Sequence, residues 1–160
     1  MRKQKGFSLI ELLIVVAIIL IIAAIAIPNL LRSRIAANEA SAVGSIRTLN
    51  TAEVTYSSTY PNVGFTCTLG DMAPPAGTAT PTSTSAGLID NVLASGVKSG
   101  YTFALGSCAG TPITNYVSTG VPITVGQTGQ RAFCSDQSGV IKFAADGTAA
   151  SCTGGNTALQ

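Results

Sequence analysis

Residues 5–28 read KGFSLIELLIVVAIILIIAAIAIP, and this stretch decides the architecture. Leu12 through Ile27 is a run of sixteen residues without a polar side chain, closed by Pro28. No charge falls between Glu11 and Arg32, a gap of 20 residues. At about 1.5 Å of rise per helical residue, such a segment spans ~30 Å, the thickness of a bilayer's hydrocarbon core. Arg2, Lys3 and Lys5 precede it. A basic flank ahead of an apolar run stays on the cytoplasmic side, so the rest of the chain is exported.

Three readings compete for this end. A secretory signal peptide would be cut after Ala24-Ile25-Ala26, an A-x-A site, leaving Ile27 first. A plain anchor would simply stay. Neither uses Glu11, a carboxylate at the start of a span, which is costly there and needs a cationic partner. The span itself holds no Lys or Arg to supply one.

The third reading accounts for that carboxylate. Lys5-Gly6-Phe7-Ser8-Leu9-Ile10-Glu11 resembles the prepilin signal of type IV pilins and related pseudopilins. The resemblance is specific over positions 1 to about 35; beyond that it lies in layout. It implies that a prepilin peptidase cuts after Gly6 and N-methylates Phe7. It also implies that Glu11 meets the N-terminal amine of a neighbouring subunit, a pairing that makes a buried charge tolerable and sets register. Pro28 falls where the family commonly bends its helix; a proline inside a helix removes a hydrogen bond and kinks the axis. Unwinding before that proline is helped in the family by an upstream glycine. This chain departs from the pattern, with none from Leu12 to Ile27.

The whole chain has 160 residues, with 9 Lys+Arg, 7 Asp+Glu and no His. Its charged fraction of 10% is far below the roughly 25% of an average soluble protein. Absence of histidine excludes His-based triads and metal sites. The charge offers no footprint for nucleic acid. Loss of Arg2, Lys3 and Lys5 with the leader takes nine cations to six against seven carboxylates, a side-chain charge of −1, so the basic character belongs to the leader and says nothing about an acidic partner.

From Asn29 to about Ser58 the periodicity is helical. Leu31, Ile35, Ala42, Ile46, Leu49 and Tyr56 form a stripe for packing on a sheet, while Arg32, Arg34, Asn38, Glu39, Arg47 and Glu53 are expected mostly on other faces. Gly44 interrupts it at a cost of about 1 kcal/mol. Joined to the apolar run, this predicts one helix of about 50 residues, longer than globular norms unless half is buried in membrane or filament.

Positions 61–99 are rich in Gly, Pro, Ser and Thr, and AGTATPTSTSAG at 76–87 approaches low complexity, a surface loop by composition. Leu88–Leu93 is expected as a short helix. The last 60 residues read as short strands: Tyr101–Leu105, Tyr116–Ser118, Pro122–Val125, Arg131–Cys134 and Val140–Phe143, a set of about four. Turn signals lie at Asp136–Gly139 and Asp146-Gly147.

The fold class is therefore α+β: a long N-terminal helix, its hydrophobic half protruding and its amphipathic half packed on an antiparallel sheet. The expected divisions are a leader at 1–6, a membrane and filament-core helix at 7–28, an amphipathic half at 29–58, a loop at 59–99, and the sheet with its C-terminal loop at 100–160. Cys67, Cys108, Cys134 and Cys152 show no C-x-x-C spacing, and an exported head makes disulfides the default. Four cysteines allow three connectivities. We expect Cys67–Cys108, tying the long loop to the first strand, and Cys134–Cys152, resembling the disulfide-bounded loop of many pilins.

The resemblance implies a non-catalytic structural subunit of a type IV pilus. It begins in the inner membrane and ends in an extracellular filament. Its outputs span adhesion, twitching motility, DNA uptake and surface sensing. The partners implied are further copies of itself, a prepilin peptidase, and an inner-membrane assembly platform with its cytoplasmic extension ATPase. No cofactor and no specific nucleic acid is implied. The alternative is a pseudopilin of a type II secretion system. Only Asp136 and Asp146 lie near the C-terminal loops, with no D-x-D-x-D/N-G run for calcium. An anchored enzyme has no active-site constellation to support it.

Overall fold

The computed structural model describes residues 6–154 and 158–159. The leader residues 1–5, with Arg2, Lys3 and Lys5, lie outside them. The chain divides into two compact units, Met1–Arg34 and Ile35–Gln160.

Helix α1 runs Leu9–Thr59, 51 residues without interruption, including Pro28. In the first unit its apolar side chains are exposed from Leu9 to Leu30, except half-buried Ala23. It is long and apolar enough to cross a membrane. In the second unit one face of α1 is buried: Ala42, Ile46, Leu49, Ala52 and Tyr56 enter the core. Leu31, the first residue of the expected stripe, is exposed, and Ile35 is half-buried.

The expectation that Glu39 and Glu53 fall on other faces is wrong; both are buried. Positions 39, 42, 46, 49, 53 and 56 recur at steps of three and four, so these carboxylates share the core face. Glu39 accepts two backbone N–H groups, of Gln130 and Arg131, and Glu53 accepts one, of Thr66.

The sheet has five antiparallel strands in sequential order: β1 Val97–Lys98, β2 Tyr101–Ala109, β3 Asn115–Pro122, β4 Ala132–Asp136 and β5 Lys142–Ala144. The short edge strand β1 carries no periodicity that a sequence reading detects. The stretch expected as a strand at Pro122–Val125 is not one; Pro122 closes β3, and Ile123 instead donates its N–H to the Gly100 carbonyl. Tyr101 and Phe103 of β2 face the core as alternation requires. Gly120 of β3 lies opposite Phe103, and a Cβ there would meet that ring at 2.9 Å, so only glycine fits.

The 59–99 stretch is more ordered than its composition suggests. It holds a 3₁₀ turn at Leu69–Met72 and a short helix α2 at Asn91–Ala94. Asp90 caps α2 by accepting from the Leu93 N–H; Leu88 and Ile89 precede the helix. A C-terminal helix, α3 at Ala149–Thr153, was not foreseen; Thr148 caps it through the Ser151 N–H.

Strand β4 is buried on both faces. Phe133 enters the main core, while Ala132 and Cys134 pack with Ala144 and Cys152 in a second, smaller cluster. The structure joins Cys134 to Cys152 with Cα atoms 5.9 Å apart, and Cys67 to Cys108 at 6.2 Å. The first bridge fastens α3 over β4. Replacing Cys134 and Cys152 together by Ser should lower head stability by about 2–4 kcal/mol, read from urea unfolding of the full chain in detergent. An unchanged midpoint would contradict this role.

Candidate functional site

Gly6, Phe7 and Ser8 are non-helical and exposed ahead of α1, and Phe7 is 82% exposed. The Gly6–Phe7 peptide bond therefore lies on non-helical backbone, open to a protease active site. A Cβ at Gly6 would meet nothing within 4 Å, so this fold does not itself demand the glycine.

Glu11 sits in the first turn of α1. Its Oε2 accepts the Ser8 N–H at 2.9 Å, one half of a capping box. This corrects the reading that an anchor gains nothing from Glu11: the carboxylate satisfies a helix-end donor and complements the positive end of the helix dipole. Its second oxygen carries no hydrogen bond from a described residue. Pro28 lies inside the unbroken helix, and the structure shows no unwound stretch before it.

Beyond Glu11, about twenty apolar side chains cover the helix surface to Leu31. A patch of this extent is not stable in water; it marks a membrane or protein interface. Burying a Leu, Ile or Val side chain gains about 1.5–3 kcal/mol, so sequestering this surface is worth tens of kcal/mol in total. Arg32 and Arg34 end the apolar stretch, exposed and outside the ion pairs of the described residues.

The head presents buried polar fasteners rather than a catalytic cluster. Glu39 Oε1 accepts the N–H groups of Gln130 and Arg131 at 2.9 and 3.1 Å. Its Oε2 accepts from Arg131 Nε and Nη2 at 2.9 and 2.7 Å. The guanidinium lies over the rings of Phe133 and Phe143, 5.5 and 5.3 Å from their centres. Burial raises the Glu39 pKa, but the bonds from Arg131 and the two N–H groups outweigh it and leave the carboxyl below its ordinary value. Asn50 links the helix to the sheet, donating to Ser135 Oγ and accepting from Tyr116 Oη.

Among the described residues, no three of His, Cys, Asp or Glu converge as metal ligands. The groove of about 320 Å³ along α1 is lined by Arg47, Thr48, Thr51, Ala52, Thr55 and Leu88, without a nucleophile–base pair. The aromatic pairs Tyr56–Tyr60 and Phe65–Tyr116, with centres 5.0 and 4.9 Å apart, are packing contacts within the head.

The structure thus places Gly6, Phe7 and Glu11 together at one helix end and the four cysteines in two bridges far along the chain. Sequence reasoning passed over Glu39, Glu53 and Arg131. Their signal was the step of three and four that the two glutamates share with the apolar stripe.

Residues 1–27 match the prokaryotic N-terminal methylation motif. The chain is 67% identical over 39 residues to the type IV wide pilus major component PilA4 of Thermus thermophilus, covering 24% of this chain and 30% of that one. It is 45% identical over 54 residues to the type IV major pilin protein PilA of Myxococcus xanthus, covering 34% of this chain and 24% of the relative. The matches span less than a third of either relative's length. No solved structure matches. Over the matched stretches the chain is homologous to these type IV pilins.

Proposed function

We propose that this chain, which opens with the prokaryotic N-terminal methylation motif, is a structural subunit of a type IV pilus. The observation that supports this best is the exposed, uncharged face of α1 beginning directly after the Gly6-Phe7 junction and Glu11. Such a helix is stable in a bilayer and equally stable packed among copies of itself. Assembly transfers it from one apolar surrounding to the other.

In this reading a prepilin peptidase cuts the Gly6–Phe7 bond and methylates the Phe7 amine. Residues 7–28 anchor the subunit in the inner membrane, then form the filament core. Residues 29–58 carry the head, and 59–160 form its outer surface. Glu11 offers its free carboxylate oxygen to the Phe7 amine of a neighbour. Charge pairing in an apolar core is strong, and a misplaced subunit would leave both charges bare, so the pair sets the register. An inner-membrane platform driven by a cytoplasmic ATPase supplies the extraction work. Both relatives are major pilus components, which favours a pilus over a secretion pseudopilin.

Mass spectrometry of the N-terminal peptide from filaments sheared off intact cells tests this. We expect a chain beginning at N-methylated Phe7, abundant in the sheared fraction. A chain beginning at Ile27 would mean ordinary signal-peptide cleavage and end the filament reading. Methylated Phe7 confined to the membrane fraction would favour the pseudopilin.

A further inference from the structure

Glu53 lies on the core face of α1 with none of its surface exposed. Its Oε2 accepts the Thr66 N–H at 2.9 Å; its Oε1 is buried and receives no hydrogen bond from any described residue. Glu53 belongs to none of the three ion pairs of the described residues. The titratable groups that face it are Asp71 from the 3₁₀ turn, Tyr116 from β3 and Tyr56 from its own helix. None is cationic. A bare carboxylate in this position is poorly solvated and repelled by Asp71, whereas a neutral carboxyl is simply a buried polar group with one good bond.

The bond Glu53 makes is not an isolated one. Thr66 Oγ1 donates to Asp71 Oδ2 at 2.8 Å and accepts from the Thr68 N–H. The Asp71 carbonyl accepts the Ala86 N–H at 2.7 Å, and the Met72 carbonyl accepts from Leu88 and Ile89. Glu53 thereby holds the inner end of a chain of contacts running to both ends of the Ser/Thr-rich loop. The Cys67–Cys108 bridge and the Phe65–Ile113 backbone bond keep the segment tethered when this chain loosens.

We propose that Glu53 is a protonation-operated latch on the 66–72 segment. Neutral, it stays buried and the segment is docked on α1. Ionised, it turns toward water, releases the Thr66 N–H, and the segment and the loop it carries lift from the helix. The pH at which this happens is set first by burial, then opposed by the Thr66 N–H, with Asp71 adding a smaller rise; together they push the Glu53 pKa up to about 7. The sign follows. The folded value lies above the ordinary one of 4.5, so the docked state is favoured fully below 4.5 and loses that advantage as pH rises toward 7. Glu39, Asp90, Asp136 and Asp146 all have lowered values, so their changes fall at more acid pH.

Hydrogen exchange read by mass spectrometry, on the mature full-length chain in detergent micelles from pH 5 to 8.5, tests the latch. After correction for intrinsic exchange rates, the opening constant of peptides covering 63–73 should rise up to about tenfold per pH unit to near pH 7, then level off. Glu53→Gln, which keeps an acceptor for the Thr66 N–H but cannot ionise, should flatten the profile at its acid-side value. A flat wild-type profile, or a Glu53→Gln slope equal to the wild type's, would overturn the proposal. Asp71→Asn provides a second check: the slope should end at lower pH, and an unmoved plateau would count against it. The readout does not involve filaments, so it stands apart from the pilus reading.

Discussion

Glu11→Gln should abolish filament growth while leaving the subunit folded, inserted and processed. The amide oxygen of Gln still accepts the Ser8 N–H, so the capping half of the role survives. What is lost is the negative charge that the proposed assembly sets against a neighbour's Phe7 amine. Removing one partner of a buried pair costs about 3–5 kcal/mol, a factor of roughly 10²–10⁴ at each subunit addition, at about 1.4 kcal/mol per tenfold. Piliation is counted by electron microscopy and by pilin in the sheared fraction, with membrane-fraction pilin as the control. Abundant filaments of ordinary length from Glu11→Gln would sink the register role. They would leave Glu11 as a helix cap.

Glu39→Ala should destabilise the head strongly. It strips the acceptor from two backbone N–H groups and from the Arg131 guanidinium at once. Arg131 is 39% exposed in its side chain, so water recovers part of the loss and the pair is not worth a fully buried one. The two stranded N–H groups cost about 1–3 kcal/mol each when unsatisfied, which places the total near 3 kcal/mol. Urea unfolding of the full chain reads this, and Arg131→Ala should cost less because the N–H bonds to Glu39 remain. Equal losses would show that the ion pair, not backbone satisfaction, dominates. Stability from Glu39 should also fade as pH drops below the ordinary carboxylate range, since its folded value is lowered.

These two glutamates, with Glu53, divide what each level of description reveals. Glu11 was conspicuous because no cation in the apolar span that follows balances it. Glu39 and Glu53 were passed over because a charged residue on a helix is usually solvated. Their partners lie 92 and 13 residues away, on β4's approach and in the long loop. No local pattern announces that a strand end will leave two N–H groups unpaired opposite a given helical turn. The edge strand β1 escaped for a related reason: two residues carry no alternation, and Val97–Lys98 is a strand only because β2 lies beside it. Likewise the Ser/Thr-rich loop owes its order to backbone bonds with Asp71, Ala73 and Met72, which composition does not encode.

By itself the sequence determined the long helix, its division into an apolar and an amphipathic part, the antiparallel strands that follow, and the N-terminal methylation motif. These follow from short-range periodicity and from the cost of placing apolar or charged groups in water or lipid, which act residue by residue. Tertiary structure alone decided which carboxylates are buried, which strand acquires a second covered face, and how α3 is fastened to β4. Those outcomes depend on donors and surfaces that meet only when segments distant in the chain are packed together, where an unpaired polar group is costly and a well-placed acceptor removes the cost.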